Sequence, residues 1–330
     1  MNTKKADMTT DCDKPLLSLC IPTNGNTLWV SNLLESIYAQ KVDNNLFEVV
    51  ITDNGKLRDL EEILNRKYNF ENLHYYKSDT KGFLNQITCF KHANGVYRKM
   101  LNHRCTLLDG ILWEMIKLIE DLQNDKPILY FSDSRIKTKK EITTFNGFDE
   151  FAFNLHYWNT WSGGVGIWDI DIDKLDTISI NAMFPHISVI YDTREDSKCV
   201  IWNKKFQSML GDAGKGGYDV FRTFAVDFIE IIQTLEGKSK IGHSTYCHIK
   251  QSLHLFLSEL YYTEIYRPSH HTYIIKNIKE SVCLYYGIFG YRLMQLRALL
   301  FFPKSALRII KTYINNHKKN GTKYVQEHKN

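Results

Sequence analysis

Short apolar runs alternate with segments of helical periodicity over the first 132 residues. An apolar run that is bounded by turn residues is typical of a buried strand. Apolar residues three and four positions apart, as at Leu33, Leu34 and Ile37, are typical of an amphipathic helix. These criteria predict five strands, at 16–22, 47–52, 73–77, 96–101 and 128–132. They also predict helices between them, at 28–40, 57–68, 82–93 and 108–123.

This regular order of strand and helix, with short connections, predicts an α/β domain with a doubly wound, mostly parallel sheet. Ligands of such sheets bind beyond the carboxyl ends of the strands. Three loops follow strands of the predicted sheet, at 23–26, 53–56 and 102–106. We therefore expect these loops to line one binding site.

The pattern changes after residue 134. A strand at 142–145, a helix at 148–155 and a glycine-containing loop and strand at 158–168 are predicted there. Amphipathic helices follow from residue 218, at 218–235, 244–262 and 269–286. The sequence thus predicts two parts, an α/β domain over residues 15–211 and a helical C-terminal region over residues 212–330.

Charge is unevenly distributed along the chain. The net charge is +5, and residues 281–330 alone carry +8 because Glu327 is their only acidic residue. A basic tail suggests an anionic surface as partner. Arg297, Lys304, Arg308 and Lys311 have helical spacing, and apolar and aromatic neighbours suit contact with a membrane surface. A helical cap with solvated lysines is the alternative, and nucleic acid is not expected because no recognition motif accompanies the charge.

The remaining composition bears on the compartment. Seven cysteines without a CxxC pair predict neither a disulfide framework nor a zinc site. The first 14 residues lack a signal-peptide pattern, and no apolar run reaches the length of a membrane span. We therefore expect a cytoplasmic protein that is peripheral on the inner face of the cell membrane.

Motifs along residues 15–170 resemble those of family-2 glycosyltransferases in order and spacing. They are LLSLCIPTNGN, FEVVITDNG, a helix containing Gly82 and Asn85, and HANGVYRKMLNHR. Later segments resemble the smaller set that is similar to the abequosyltransferase of O-antigen assembly: WNTWSGGVGIW, FPHISVIYD and CVIWNK. The resemblance implies a GT-A fold and transfer of a sugar from a nucleotide-sugar donor, with inversion at the anomeric carbon.

Three residues at strand ends are implied in donor binding. By the resemblance, Pro22 and Thr23 contact the base, and Asp53 contacts the base or the ribose. The residue pattern alone allows the same role for Asp53, since a carboxylate at a strand end can accept hydrogen bonds from a ribose. A turn aspartate that caps the following helix is the alternative.

The DxD motif of the family, which holds the divalent metal and the diphosphate of the donor, falls by the resemblance at Asn102, His103 and Arg104, where no aspartate occurs. Three interpretations stay open. Asn102 and His103 could ligate Mg²⁺ or Mn²⁺, or Arg104 could replace the cation, because a guanidinium binds phosphate oxygens bidentately. In the third, the domain has lost activity. No metal ligand is therefore assigned, and a divalent cation is left open.

The candidate general base is His186. The family usually places a carboxylate on the acceptor side at the start of a helix, and the corresponding segment here reads FPHISVIYDTRED. Histidine titrates near neutral pH and can take up the proton of an acceptor hydroxyl. A structural histidine is the alternative, with Asp169, Asp171 and Asp192 as substitute carboxylates.

The candidate acceptor site combines two tryptophans and two glycines, Trp158, Trp161, Gly163 and Gly164. Indole rings stack on the C–H faces of sugars, and glycine allows a ligand to approach the backbone closely. Packing of the tryptophans in the core explains the same residues equally well.

Together these features predict a glycosyltransferase of the hexosyl or deoxyhexosyl type that serves capsule or O-antigen synthesis. Its expected acceptor is a saccharide, linked to polyprenyl diphosphate. The alternative is a non-catalytic sugar- or nucleotide-binding module that lost the DxD motif. A nucleotidyltransferase is less favoured, because TNGN after the first strand is a poor match to a glycine-rich loop.

Overall fold

The computed structural model describes residues 14–211, 214, 216–267 and 270–301. The chain divides into two units. The first comprises residues 1–211 and 235–246, and the second comprises 212–234 and 247–330. Residues 235–246, assigned by sequence to the C-terminal region, therefore cluster with the first unit.

The first unit is built on a five-stranded central sheet. Its strands, in spatial order, are β3 (Leu73–Lys77), β2 (Phe47–Asp53), β1 (Leu17–Thr23), β4 (Tyr97–Met100) and β8 (Gly166–Trp168). The first four are parallel, and β8 runs antiparallel to β4. Every residue of β2 is buried, and its central residues Val49, Val50 and Ile51 are apolar, as expected for an inner strand of a parallel sheet.

Four helices follow the predicted positions between these strands: α1 (Thr27–Tyr38), α2 (Asp59–Lys67), α3 (Asn85–His92) and α4 (Ile111–Leu122). The Asn26 side chain caps α1 by accepting a hydrogen bond from the Trp29 backbone N–H. On α1 the buried residues include Leu33 and Ile37, one helical turn apart. The helical periodicity of the sequence therefore identified the face that packs on the sheet.

The predicted fifth strand of the central sheet is in a different sheet. β6 (Ile128–Phe131) pairs with β9 (Cys199–Trp202) in parallel, and β9 pairs with β7 (Ile142–Phe145) in antiparallel orientation. β8 instead occupies the place beside β4. A further pair of short strands joins β5 (Cys105–Leu107) to β10 (Gln207–Met209).

Two further helices of the first unit are α5 (Phe148–Leu155) and α6 (Pro185–Asp192). Short 3₁₀ turns at His156–Thr160 and Ser162–Gly164 connect α5 to β8. Pro185 occupies the first turn of α6, where its missing N–H costs no intrahelical bond.

The C-terminal region contains α7 (Val220–Arg222), α8 (Phe228–Gly237), α9 (His243–Tyr261) and α10 (Ile278–Leu299). The predicted helix at 269–286 is wrong at its start, because β12 (Thr272–Ile274) pairs with β11 (Gly216–Asp219) before α10 begins. Lys304, Arg308 and Lys311 lie outside the described residues. Within the described ranges, no helix is both long and apolar enough to cross a membrane.

Candidate functional site

Three polar residues lie side by side at the carboxyl ends of β1, β2 and β3. Two of them, Thr23 and Asp53, are predicted to bind the sugar donor. The strand register aligns Thr23 with Asp53 and Asp53 with Lys77. The Asp53 side chain is fully buried, whereas Lys77 is about one-third exposed at 32%. Pro22, the other residue predicted to bind the donor from β1, is half-buried next to Thr23.

The Asp53 carboxylate organises the loop after β2. Its Oδ1 accepts a hydrogen bond from the Gly55 N–H at 2.7 Å, and its Oδ2 accepts from the Tyr75 hydroxyl at 3.0 Å. Lys77 Nζ lies 3.1 Å from Oδ2 and also donates to the carbonyls of Gly55 and Leu57. Burial, followed by the Asp53 hydrogen bond, raises the pKa of Tyr75. A ligand that binds Asp53 would therefore share or replace one of these protein partners.

Glycine is required where the loops after β1 and β2 cross. A Cβ atom at Gly55 would lie 2.2 Å from the Asn24 carbonyl oxygen, which no side chain tolerates without backbone movement. Gly25 adopts φ +85°, in the left-handed region. The two glycines thus allow the loops to pack closely beside Asp53.

The loop after β4 carries the residues that stand where the DxD motif is expected. The Asn102 side chain accepts a hydrogen bond from the Arg104 N–H at 2.9 Å, which fixes a tight turn. His103 Nδ1 and Thr23 Oγ1 share a hydrogen bond of 2.6 Å, which links the ends of β4 and β1. Burial, and secondarily the Arg104 charge, lowers the pKa of His103 to about 4. The His103 ring is therefore neutral at pH 7.

Arg104 lies against an indole ring. Its guanidinium carbon is 4.1 Å from the centroid of the Trp29 ring, and the His103 ring centroid lies 5.2 Å from the same indole. A cation over tryptophan at this distance is stabilised by the ring quadrupole. Sequence reasoning missed Trp29, because only the fold brings the first turn of α1 to the loop after β4.

The side chains at the carboxyl ends of these strands do not form a coordination site for a divalent cation. The described residues contain no group of three or more His, Cys, Asp and Glu side chains that could hold a metal ion. The carboxylate at the site, Asp53, already has three partners, and His103 Nδ1 is bonded to Thr23. Hard cations need several free oxygen ligands, so these residues fit Mg²⁺ or Mn²⁺ poorly.

The predicted acceptor residues Trp158 and Trp161 come together around a third residue, Arg135. Its guanidinium carbon lies 4.8 Å from the Trp158 ring centroid and 4.4 Å from that of Trp161. The Tyr130 hydroxyl contacts the carbonyls of both tryptophans, at 2.6 and 3.1 Å, and holds their backbone. Arg135 follows β6, and no sequence spacing relates it to the tryptophans 23 and 26 positions later.

The two predicted acceptor glycines are buried against aromatic rings of the protein itself. A Cβ at Gly164 would lie 2.2 Å from Tyr130 Cζ, and one at Gly163 would lie 2.7 Å from Trp161 Cζ2. These glycines therefore let the rings of Tyr130 and Trp161 approach the backbone.

A buried lysine connects the end of β4 to the loop that contains Gly163. Lys99 is fully buried, and its Nζ donates to the carbonyls of Met100, at the end of β4, and Gly163, at 2.7 and 2.5 Å. Its ammonium lies near the rings of Phe131 and Phe206. Burial lowers the pKa of Lys99 to about 7. Its place inside a predicted strand gave no sign of this role.

His186 is the second residue of α6 and is buried, with 4% of its surface exposed. Burial lowers its pKa to about 4; the carbonyls of Thr160 and Asn159 oppose this shift, yet neither ring nitrogen has a partner with hydrogen-bond geometry among the described residues. The imidazole is therefore neutral at pH 7, and its acceptor nitrogen is buried without a hydrogen-bond partner among the described residues. This fits a base, provided that an acceptor hydroxyl reaches the ring.

The substitute carboxylates all take part in ion pairs. Asp171 is buried and pairs with Arg194 and Lys174, Asp169 pairs with Lys126, and Asp192 lies near two lysines. The oxygens of these carboxylates are therefore engaged by basic side chains of the protein.

Comparisons with known proteins bear on the fold. No family model matches the chain, and no curated protein sequence matches it. The structure of S. aureus TarS 1-349 is similar with a TM-score of 0.52 at 14% identity, covering 76% of this chain and 75% of that chain. The same TarS fragment in complex with UDP-GlcNAc gives a TM-score of 0.49 at 14% identity, covering 76% of each chain.

A more distant match is the mannosyltransferase PcManGT from Pyrobaculum calidifontis in complex with GDP-Man and Mn²⁺. It has a TM-score of 0.48 at 11% identity and covers 92% of this chain and 83% of that chain. The predicted fold class is confirmed: this is a mixed α/β structure with a mostly parallel central sheet, similar to the GT-A glycosyltransferases, and a helical C-terminal region.

Proposed function

We propose that the chain is a glycosyltransferase that binds a nucleotide-diphosphate sugar at the carboxyl edge of β1, β2 and β4. The observation that carries this proposal is the stacking of Arg104 on Trp29, at 4.1 Å, in the loop after β4. That loop stands where the family resemblance expects the diphosphate-binding motif. A guanidinium supplies both positive charge and paired N–H donors, which suit the oxygens of a diphosphate.

In the proposed reaction, an acceptor hydroxyl attacks the anomeric carbon of the donor, and the bond from that carbon to the diphosphate oxygen breaks. The leaving nucleoside diphosphate gains negative charge, which Arg104 stabilises. Trp29 and the Asn102 turn hold Arg104 in place before the donor binds, so little reorganisation is needed during the reaction. Thr23 and Asp53 are proposed to contact the base and ribose, together with Pro22.

His186 is proposed to accept the proton of the acceptor hydroxyl, and the sugar is transferred with inversion. Its ring is neutral at pH 7 and its nitrogens have no hydrogen-bond partner among the described residues. Replacement by alanine should abolish turnover and leave donor affinity nearly intact. Unchanged turnover in a folded His186→Ala variant would exclude this assignment.

The experiment that tests the function is a donor panel with and without EDTA. UDP-GlcNAc and GDP-Man, the donors present in the two solved structures named above, belong in the panel. Donor hydrolysis or transfer that persists in EDTA and falls in Arg104→Gln supports a guanidinium that replaces the cation. Activity that EDTA abolishes and that magnesium restores contradicts it.

A non-catalytic nucleotide-sugar-binding module is the second candidate. Two observations favour it: Asp53 is fully engaged by protein partners, and the described residues contain no metal-binding group. Donor binding measured by calorimetry, without turnover of any donor in the panel, would identify this module. Turnover of one donor would exclude it.

We further propose that the acceptor is a lipid-linked saccharide of capsule or O-antigen synthesis and that α10 contacts the membrane. Six apolar residues of α10 and its end are exposed: Leu284, Ile288, Phe289, Leu296, Leu299 and Leu300. Phe289 is the most exposed, at 80%. The basic residues of 302–330 follow directly in the sequence, and such charge suits anionic headgroups.

Liposome flotation tests this part of the proposal. The chain should float with vesicles that contain anionic lipid at low salt, and Phe289→Asp should weaken the association. Leu255→Asp is the matched control, because Leu255 is an exposed leucine of α9 outside the α10 surface. Absence of flotation at low salt, or equal effects of the two substitutions, would contradict membrane binding through α10.

A further inference from the structure

The loop between β6 and β7 begins on strained backbone. Asp133 and Ser134 are consecutive non-glycine residues with positive φ, at 54° and 57°. Such residues cost about 1–3 kcal/mol each and persist where the surrounding structure fixes them, often at functional sites. Here Asp133 Oδ1 accepts hydrogen bonds from the backbone N–H groups of Phe206 and Gln207, at 3.0 and 3.3 Å. The direction in which the chain presents Arg135 is therefore fixed.

The protein groups around Arg135 use only part of the hydrogen-bonding capacity of its guanidinium. Besides the two indole rings, its only hydrogen-bond partner among the described residues is Asp133 Oδ2, 3.4 Å from Nη2. Its Nε is buried without a partner, and the side chain is 27% exposed. Since a guanidinium has five N–H donors, most of its hydrogen-bonding capacity is left for a ligand.

The two indoles beside Arg135 are suited to a sugar. Trp158 and Trp161 are each half-buried, and their backbone is held by the Tyr130 hydroxyl. A fixed indole presents a flat apolar surface to the C–H face of a pyranose at low entropic cost. We define Arg135, Trp158 and Trp161 together as the Arg135 clamp.

Positive charge extends along the loop beside the Arg135 clamp. Lys137, Lys139 and Lys140 are all exposed, and Glu141, the acidic residue that follows them, lies close to Lys204 in an ion pair. A concentration of one charge sign raises the local concentration of ligands with the opposite sign. The surroundings therefore favour an anionic ligand over a neutral one.

We propose that the Arg135 clamp binds an acidic saccharide, through a carboxylate or phosphate group on Arg135 and a sugar ring on the indoles. The identification of this saccharide as the acceptor rests on the function proposed above. A planar guanidinium matches the paired oxygens of either anion. A neutral sugar would use the indoles and leave the charge of Arg135 and the three lysines without a ligand partner.

The test compares glucuronate, glucose 6-phosphate and glucose at one ionic strength, with binding followed by tryptophan fluorescence and saturation-transfer NMR. Hydrogen bonds to charged groups should make at least one acidic sugar bind about tenfold more tightly than glucose. The two acidic probes distinguish a carboxylate from a phosphate preference. Equal affinities of all three sugars would overturn the proposal.

Substitutions locate the binding. Arg135→Gln should remove the preference for the acidic sugar, whereas Arg104→Gln should keep it, because Arg104 lies against Trp29 and is not part of the Arg135 clamp. If the Arg104 variant alone lost the preference, the anion would be bound at the donor site and the Arg135 clamp would be excluded.

A variant of exposed residues tests the proposal independently, in case Arg135→Gln does not fold. Replacing Lys137, Lys139 and Lys140 by glutamine changes only exposed side chains, and it should weaken acidic-sugar binding about two- to threefold and flatten its salt dependence. Unchanged affinity and salt dependence would contradict the electrostatic argument. Donor titration of the same protein separates the two proposals: a chain that binds acidic sugars but no nucleotide sugar refutes the transferase function and retains the clamp.

Discussion

Two arginines of the first unit lie on tryptophan rings, in different surroundings. Arg104 stacks on one ring, Trp29, in a loop where His103 is neutral at pH 7 and Asn102 is an amide. Arg135 lies against two rings, next to the carboxylate of Asp133. The same pairing of guanidinium and indole thus occurs once with a single ring, in the loop after β4, and once with two rings, in the loop after β6.

The different surroundings of Arg104 and Arg135 indicate what each arginine is suited to bind. Arg104 lies in the loop after β4, where the diphosphate is proposed to bind, and a guanidinium placed there can stabilise the charge that develops on a leaving diphosphate. A guanidinium beside Asp133 is partly neutralised, which suits recognition that also depends on shape and stacking. We therefore expect Arg104 to act on the chemical step and Arg135 to act on acceptor affinity.

The sharpest test of this comparison replaces each arginine by glutamine. Arg104→Gln is expected to lower kcat by about 10²–10³, the usual effect of removing a donor that stabilises developing negative charge. Arg135→Gln is expected to act on the acceptor KM, by about tenfold, and less on kcat. Steady-state kinetics with varied acceptor measure both. Equal losses of kcat in the two variants would remove the distinction.

The neutral state of the His103 ring can be tested by lowering the pH. Because the pKa of His103 is about 4 when folded and 6.5 when unfolded, the unfolded chain takes up the proton first as pH falls. His103 should therefore lower the free energy of unfolding between pH 6.5 and 4, by up to about 3 kcal/mol. Urea unfolding of the wild type and His103→Gln over this range measures the difference. Parallel stability curves would contradict a neutral, buried His103.

The contribution of Lys99 to the stability of the protein should change above pH 7. Lys99 has a pKa of about 7 when folded and 10.5 when unfolded, so above pH 7 the unfolded chain holds a proton that the folded chain has lost. Stability should therefore rise from pH 7, by up to about 1.4 kcal/mol per pH unit. Lys99→Met should lack this rise. The comparison ends near pH 9, where Cys105, whose pKa is raised to about 12 by burial, begins to act in the opposite direction.

The smallest expected effect is that of the indole under Arg104. Trp29→Leu should weaken donor binding by about 1 kcal/mol, or roughly fivefold, because the cation–π contact that positions Arg104 is lost. Trp29→Phe retains an aromatic face and should recover part of the affinity. Calorimetry with the donor measures both, and equal affinities of the Leu and Phe variants would show that the ring has no electrostatic role.

The parts of the fold that follow from local pattern could be predicted from sequence. β1 to β4 and their helices were placed correctly, since continuous apolar runs and helical periodicity report directly on burial. β6 was assigned to the wrong sheet because the competing strand, Gly166–Trp168, is three residues long and is defined by its pairing with β4. The start of α10 was missed for the same reason, through the short strand Thr272–Ile274.

The candidate site shows the same division. Thr23, Asp53 and His103 could be brought together from sequence, because parallel strands end at one edge of a sheet. Trp29 and Lys99 could not, since their contacts cross between elements that no spacing relates. Arg135 was missed although both tryptophans beside it were singled out, because stacking between distant segments leaves no periodic signal.

The positive φ of Ser134 has a consequence for how this chain would change under selection. Glycine at position 134 would relieve the strain of the left-handed conformation, and the loss of the Ser134 hydroxyl bond to the Asn203 carbonyl offsets only part of that gain. Selection for thermal tolerance alone should therefore enrich Ser134→Gly, whereas selection for acidic-sugar binding should retain serine. The frequency of glycine in the two enriched pools would measure how much stability the protein gives up to keep Arg135 in place.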